Sequence, residues 1–254
     1  MDAQHCVRLL QVALGLPPTG DLSSATHIDH SDFILVSIDF ENGTRLQSCA
    51  ALGHVGSKPC EAGISIFDTR TLSSPSGSPE ETFETYNIGL GKHSPSSRRK
   101  YNYRFLFGET RWIRLEDLSD HMEQFIDRTR NIILVGHSFD EEKHVLQALG
   151  FDLKTSIVGI LDTETLANTI LGPPFMRGSR RLRNILLQLG CELEGFYSAG
   201  NDANFTLRAL LLLAVQHYAG LENLDCGTLQ RLEKIKNIGH SSIPRRPPKK
   251  TLKN

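Results

Sequence analysis

The chain has 254 residues, 39% of them hydrophobic and 22% charged, with a formal net charge of −1. These proportions suit a globular protein with one substantial core and exclude a disordered or collagen-like chain. No run of about 18 apolar residues occurs, and the opening MDAQHCVRLLQVALG carries an acid before a short amphipathic stretch, so neither a spanning helix nor a secretory leader is expected.

The expected compartment is intracellular, cytoplasmic or nuclear, with no membrane partner. Five cysteines, odd in number, scattered and without a CxxC pair, read as reduced thiols rather than a disulfide framework or zinc site.

In chain order, a first helix is expected over about residues 4–14, stopped by Gly15 and the Pro17-Pro18 pair. FILVSIDFEN, residues 33–42, then reads as a buried strand, because it is short, apolar and lacks a helical period. Alternation along a strand puts Asp39 and Glu41 on one face. Two carboxylates beside a core repel each other and lose solvation, which raises at least one pKa unless a cation compensates. The segment alone leaves two readings open, a frayed strand end with solvated acids or a divalent-metal site.

NGTRLQSCAALGHVGSKPC is read as a long polar connection. EAGISIFDT predicts a second strand at about 62–68, SSPSGSPEE a loop, and TFETYNIGL a third strand, so that three successive strands form an antiparallel meander. GKHSPSSRRKYNYRFLFGE is a loop mixing charge with rings, and LEDLSDHMEQFIDRTR has amphipathic helical spacing. NIILVGHSFDEEKHVLQALG repeats the opening pattern, with a strand at 131–136, a turn, and a helix carrying Val145, Leu146 and Leu149.

SIVGILDT supplies another strand, ETLANTILG and RRLRNILLQLG further helices, and GNDANFTLRALLLLAVQHY the last core helix. The order predicts an α/β fold with a mixed sheet, meander plus parallel strands, flanked by helices. The expected division is an N-terminal helix and linker over 1–27, the core domain over 28–219, and a C-terminal segment over 220–254. Residues 234–254 hold seven Lys or Arg and no acid, which leaves −8 on the rest of the chain. This basic, Pro-rich end reads as a disordered tail, with a phosphate-binding arm or nuclear-import signal as the functional alternative.

Asp140 lies just past the strand at 131–136, where open α/β sheets place their ligands, and Asp202 opens the last core helix after Gly200 and Asn201. Either acid alone also suits a helix start for structural reasons. The ordered set Asp39, Glu41, Asp140, Asp202 resembles the DEDD superfamily of 3′–5′ exonucleases, with IDFE, VGHSFDEEKHVL and AGNDANFTL at its three motifs. EAGISIFDT and LDTETLA resemble the neighbouring strands. LVGHSFD, LDTETLA and AGNDANFTLRALL are similar, more narrowly, to a fungal branch of RNase H-like proteins associated with mRNA export and RNA-silencing nucleases. The resemblance covers roughly residues 30–218.

It implies an RNase H-like fold and metal-dependent 3′–5′ exonuclease activity on single-stranded RNA or DNA, with RNA favoured. It also implies two Mg²⁺ or Mn²⁺ ions, Asp39 and Asp202 holding the tighter one, Glu41 touching metal or water near the 3′ end, and Asp140 helping with the second. The family further carries a His five positions ahead of the last Asp, or a Tyr four ahead. Here Tyr197 stands five ahead and Ser198 four ahead, which combines His-type spacing with a Tyr-type residue. A phenol is a poor general base at neutral pH, so Tyr197 orients water, or its loop shifts register, or turnover is weak. His137 and Asp162 read as structural residues near the site.

Arg98, Arg99, Lys100, Tyr101, Tyr103 and Arg104 interleave cations with rings, a combination that grips single strands. Arg177, Arg180, Arg181 and Arg183 form a second basic cluster at a helix start. GLGKHS lacks P-loop spacing, and no HExxH motif is present. The rival reading is a catalytically weak or inactive RNase H-like module that binds nucleic acid or a protein partner in RNA processing. Tyr197 favours it and the four acids oppose it.

Overall fold

The structure is a computed structural model that describes residues 2–19, 32–55, 59–74, 82–91, 101–172, 180–191 and 195–244. Its strands are β1 (Phe33–Glu41), β2 (Cys60–Asp68), β3 (Phe83–Leu90), β4 (Arg111–Ile113), β5 (Asn131–Gly136) and β6 (Ile157–Asp162). Its helices are α1 (Ala3–Ala13), α2 (Gly43–Leu52), α3 (Leu118–Glu123), α4 (Asp140–Ala148), α5 (Thr163–Ile170), α6 (Leu182–Gln188), α7 (Ala199–Tyr218) and α8 (Cys226–Gly239).

The strands form one six-stranded sheet in the order β4-β3-β2-β1-β5-β6. β1, β2 and β3 make the expected antiparallel meander, while β5 runs parallel to β1, β6 parallel to β5 and β4 parallel to β3. Ile34, Val36, Ile38 and Phe40 face one apolar cluster with Leu46 of α2, Leu118 and Met122 of α3, and Val145 and Leu146 of α4. Phe33 and Leu35 face the other, built with α1, α5, α6, α7 and α8. The sheet is thus the middle of three layers, and strand alternation puts Asp39 and Glu41 on the α7 side.

The cross-strand rows on that side change character along β1. Leu35, Phe67 and Phe83 form an apolar row, Ser37, Ser65 and Thr85 a small polar one, then Asp39, Gly63 and Asn87, and finally Glu41, Glu61 and Gly89. α7 runs over these rows in step. Gly200 lies against Asn87, Asn204 donates to Thr85 Oγ1 at 2.9 Å, and the Arg208 guanidinium lies 5.3 Å from the centre of the Phe83 ring. Four helical residues rise ~6 Å and two strand residues ~6.6 Å, so every turn of α7 meets the next row. Sixteen of the twenty α7 residues are buried, as expected of a helix apolar nearly all round.

Two glycines permit this contact. A Cβ on Gly63 would lie 2.0 Å from the Ala199 carbonyl, and one on Gly200 would lie 2.7 Å from the Phe105 ring and 2.9 Å from Asn87 Cβ. β2 and the first turn of α7 therefore touch backbone to backbone.

The structure departs from the sequence reading at several places. The polar stretch after β1 is largely helix, because Leu46 and Cys49 give α2 a narrow buried stripe and Gly53 closes it with φ 72°. β4, only three residues long, carries too little pattern to be seen in sequence. α8 is capped by Asp225, whose side chain accepts from the Thr228 N–H and hydroxyl, and it buries Leu232, Ile235 and Ile238 against α7. α1 and α8 pack into the same apolar cluster as α7. The four buried cysteines and exposed Cys226 are free thiols, as expected. Residues 92–100, 173–179 and 245–254 lie outside the described residues, and with them Arg98, Arg99 and Lys100 of the first basic loop, Arg177 and the end of the tail.

Replacing Gly63 with Ala forces backbone against backbone, which no rotamer change relieves. Gly63→Ala is expected to lower the unfolding free energy by about 3 kcal/mol or more, measured by urea denaturation, whereas Gly53→Ala, with nothing within 4 Å, costs about 1 kcal/mol from its positive φ alone.

Candidate active site

Asp39 and Glu41 close the C-terminal end of β1, and the α7 contact at Gly63 brings Asp202 to them. The Glu41 and Asp202 carboxyls approach within hydrogen-bonding reach of each other. Asp202 also accepts the Tyr197 N–H at 3.3 Å through Oδ2, while its Oδ1 is buried with no protein hydrogen bond. Asp39 is closely surrounded yet keeps a solvent-accessible edge, as do Glu41 and Asp202, so the cluster reaches solvent at one side.

The charge of Glu142 also acts on Asp39. The structure leaves the predicted Asp140 exposed on the first turn of α4, while Glu142 acts directly on Asp39 and its Oε2 is buried without a hydrogen bond. The rotation of α4 explains the difference. Val145 and Leu146 are fixed in the core, and Glu141 Oε1 accepts the Thr44 N–H at 3.2 Å and hydroxyl at 3.0 Å. Glu142 lies three and four residues ahead of the two core anchors and so shares their face, whereas Asp140, two residues earlier, points away. That helical phase was available in the sequence.

A fifth carboxylate, Glu61, was missed. It lies opposite Glu41 on β2 and is only 2% exposed. Its face could be read from the alternation in EAGISIF, but its partner on β1 depends on the strand register.

Electrostatics set this group apart. Burial first, and then repulsion from Asp202, Glu142, Glu41 and Glu61, push the Asp39 pKa well above the usual carboxylate range. Burial and the Glu41 charge raise Asp202 in the same way. Burial also raises Glu41, with the Arg104 cation opposing it, and lifts Glu142 to about 7. Among the described residues no three His, Cys, Asp or Glu side chains are spaced as a ready coordination shell. Divalent cations of the magnesium type nevertheless use one or two carboxylates and complete their shell with substrate and water. Partly open, mutually repelling carboxylates with unpaired oxygens on Asp202 and Glu142 are the donor chemistry that such a cation suits.

Tyr197 has φ 75° and a side chain 73% exposed, so its contact with the cluster is its backbone N–H rather than its phenol. His137 is mostly buried, with Nδ1 3.0 Å from the Thr163 hydroxyl and burial lowering its pKa. Asp162 caps α5 through the Glu164 and Thr165 N–H groups and also accepts from Phe139. Both fit the structural reading.

Of the expected strand-gripping residues, Arg104 and Tyr101 lie beside the acids. The Arg104 guanidinium acts on Glu41 and lies 5.8 Å from the centre of the Tyr101 ring, which packs edge-on to Trp112 at 5.4 Å. Tyr103 and Arg181 are exposed, and Arg98, Arg99 and Lys100 lie outside the described residues. Arg180 is corrected to a structural role, because it is buried and donates to Asn168 Oδ1 at 2.9 Å and to the Gly172 carbonyl.

A mixed six-stranded sheet between helical layers, with carboxylates gathered at the end of its first strand, defines an RNase H-like fold of the exonuclease type. A family model described as the DEDDh DNA polymerase III subunit epsilon-like C-terminal domain matches residues 34–213, and the chain belongs to that family. No curated protein matches the chain significantly. Members of the family usually use divalent metal ions. Among the described residues no helix is long and apolar enough to cross a membrane.

The raised carboxyls bind protons more tightly folded than unfolded. Their stabilising contribution is complete below the unfolded value near 4 and is lost as pH rises through the folded values, with the Glu142 step at about 7. In chelator, the protein is therefore expected to lose on the order of 3 kcal/mol between about pH 5.5 and about pH 8, measured by denaturant titration. Glu142→Gln should reduce the slope below about pH 7 and leave the part due to Asp202, raised to about 8, in place, and Asp39→Asn should raise stability at about pH 8.

Proposed function

We propose that the chain is a metal-dependent 3′–5′ exonuclease acting on single-stranded nucleic acid, with RNA as the favoured substrate. The observation that carries this reading is the set of desolvated carboxylates from β1, α4 and α7 gathered at one end of the sheet, in a family of nucleases. Asp39, Glu41, Asp202 and Glu142 would hold two Mg²⁺ or Mn²⁺ ions, and on geometry Glu142 is favoured over Asp140 as the fourth ligand. Bound there, the ions supply positive charge for the phosphodiester and acidify a water.

The remaining tasks fall to side chains of the protein. Arg104 neutralises part of the Glu41 charge and offers a cation to the phosphate backbone, while the Tyr101 ring gives a terminal base a surface for stacking. Tyr197 stands at the exposed lip, and for its phenol to orient the attacking water the ring would have to turn in from solvent. Resemblance to the fungal branch supports a setting in RNA processing, with a protein partner there.

The second reading, a weakly catalytic binding module, is favoured by the outward phenol at the position where this family uses His. Incubating 3′- and 5′-labelled RNA and DNA strands with Mg²⁺ or Mn²⁺ separates the two. Stepwise loss from the 3′ end is expected, falling by roughly 10³ in Asp39→Asn and 10² in Glu142→Gln but only a few-fold in Asp140→Asn. Intact strands, or equal degradation by Asp39→Asn, would remove the nuclease reading. Tyr197→His should raise kcat, whereas Arg104→Ala should raise KM for the strand by roughly tenfold with a smaller change in kcat.

A further inference from the structure

Glu61 is the least exposed acid of the cluster. A carboxylate so enclosed is costly unless donors surround it. Here Asn87 Nδ2 donates to Glu61 at 3.2 Å, and the Ala199 N–H approaches the same carboxylate. Asn87 is itself fully used, since its Nδ2 also donates to Thr110 Oγ1 at 3.0 Å and its Oδ1 accepts the Gly200 N–H at 2.8 Å.

These contacts answer a question about α7. A helix begins with N–H groups that have no partner within it, and an N-cap side chain commonly takes one. Ser198 stands at the N-cap of α7 and makes no such bond. The two N–H groups next in line are met from outside, Ala199 by Glu61 of β2 and Gly200 by Asn87 of β3. Asp202 follows one residue after Asn201, which is itself tied to Arg104 O at 2.8 Å and Gly195 O at 2.6 Å.

We propose that Glu61 and Asn87 are positioning residues which cap α7 from the sheet and thereby set the place of Asp202 in the active site. The catalytic part of this inference rests on the nuclease reading above; the capping part does not. Towards Asn87 Nδ2 and the Ala199 N–H, both donors, Glu61 acts as an acceptor. Glu61→Gln places an NH₂ where a donor already points, and Asn87→Asp removes the donor and sets two carboxylates face to face. In the double variant Glu61→Gln/Asn87→Asp the polarity is reversed but complete, because the new amide donates to the new carboxylate, which still accepts from Gly200.

The test is amide hydrogen exchange over residues 198–203, with kcat and KM measured on the same proteins. Exchange at Ala199 and Gly200 is expected to quicken roughly tenfold or more in each single variant, while residues 205–216 stay as protected as in the wild type. The double variant should return to within about threefold of the wild type. On a single strand kcat should follow the same order, with KM within about threefold throughout. Wild-type protection at both amides in the single variants, or a double variant no better than the worse single, would overturn the proposal. Should wild-type protein cleave no strand, the nuclease reading fails, and the exchange pattern alone decides whether the cap exists.

Discussion

The backbone of β2 at Gly63 touches the backbone of α7 at Ala199 and Gly200, and the carboxylate cluster depends on that contact. With any side chain at Gly63 the helix would ride farther from the sheet, and Asp202 would withdraw from Asp39 and Glu41. Because one helical turn nearly matches two strand residues in length, docking the first turn also sets Asn204 on Thr85 and Arg208 on Phe83. Arg208 carries the register further, donating to the Gly239 and Ser241 carbonyls and so seating α8. The placement of the acids and the packing of the C-terminal helix are thus two ends of one alignment.

That alignment forces like charges together. Asp39, Glu41, Asp202 and Glu142 all have raised pKa values from burial, and repulsion adds to it at Asp39, Asp202 and Glu142. Among the described residues, Arg104 is the cation that acts on Glu41. A fold that tolerates this arrangement gives up stability at neutral pH that neutral side chains would restore. Such a loss is characteristic of a site shaped for a cationic ligand. The left-handed Tyr197, which aims its N–H at Asp202, adds local backbone strain at the same place.

Membership of the DEDDh family makes the residue ahead of Asp202 consequential. Tyr197 keeps the spacing at which this family uses His, but its ring is turned to solvent and only its backbone joins the cluster. The acids are assembled by strands and by long helices locked into the core. Tyr197 sits on a short turn after Gly195, where less packing defines the side chain. The carboxylates and the Tyr197 side chain therefore differ in how firmly the fold determines them.

Much of this was legible in sequence because strand alternation and apolar runs are local properties. FILVSIDFE determined a buried strand with Asp39 and Glu41 on one face, and AGND determined a helix start carrying Asp202. The phase of Val145 and Leu146 puts Glu142 on the buried face of α4 and leaves Asp140 exposed. Other features depend on contacts between distant segments. The pairing of Glu61 with Glu41 follows from a register between strands, and the burial of Arg180 from the Asn168 and Gly172 groups around it. The capping of α7 by Glu61 and Asn87 comes from two other strands, and a local sequence pattern reports only the partners a residue meets along its own element.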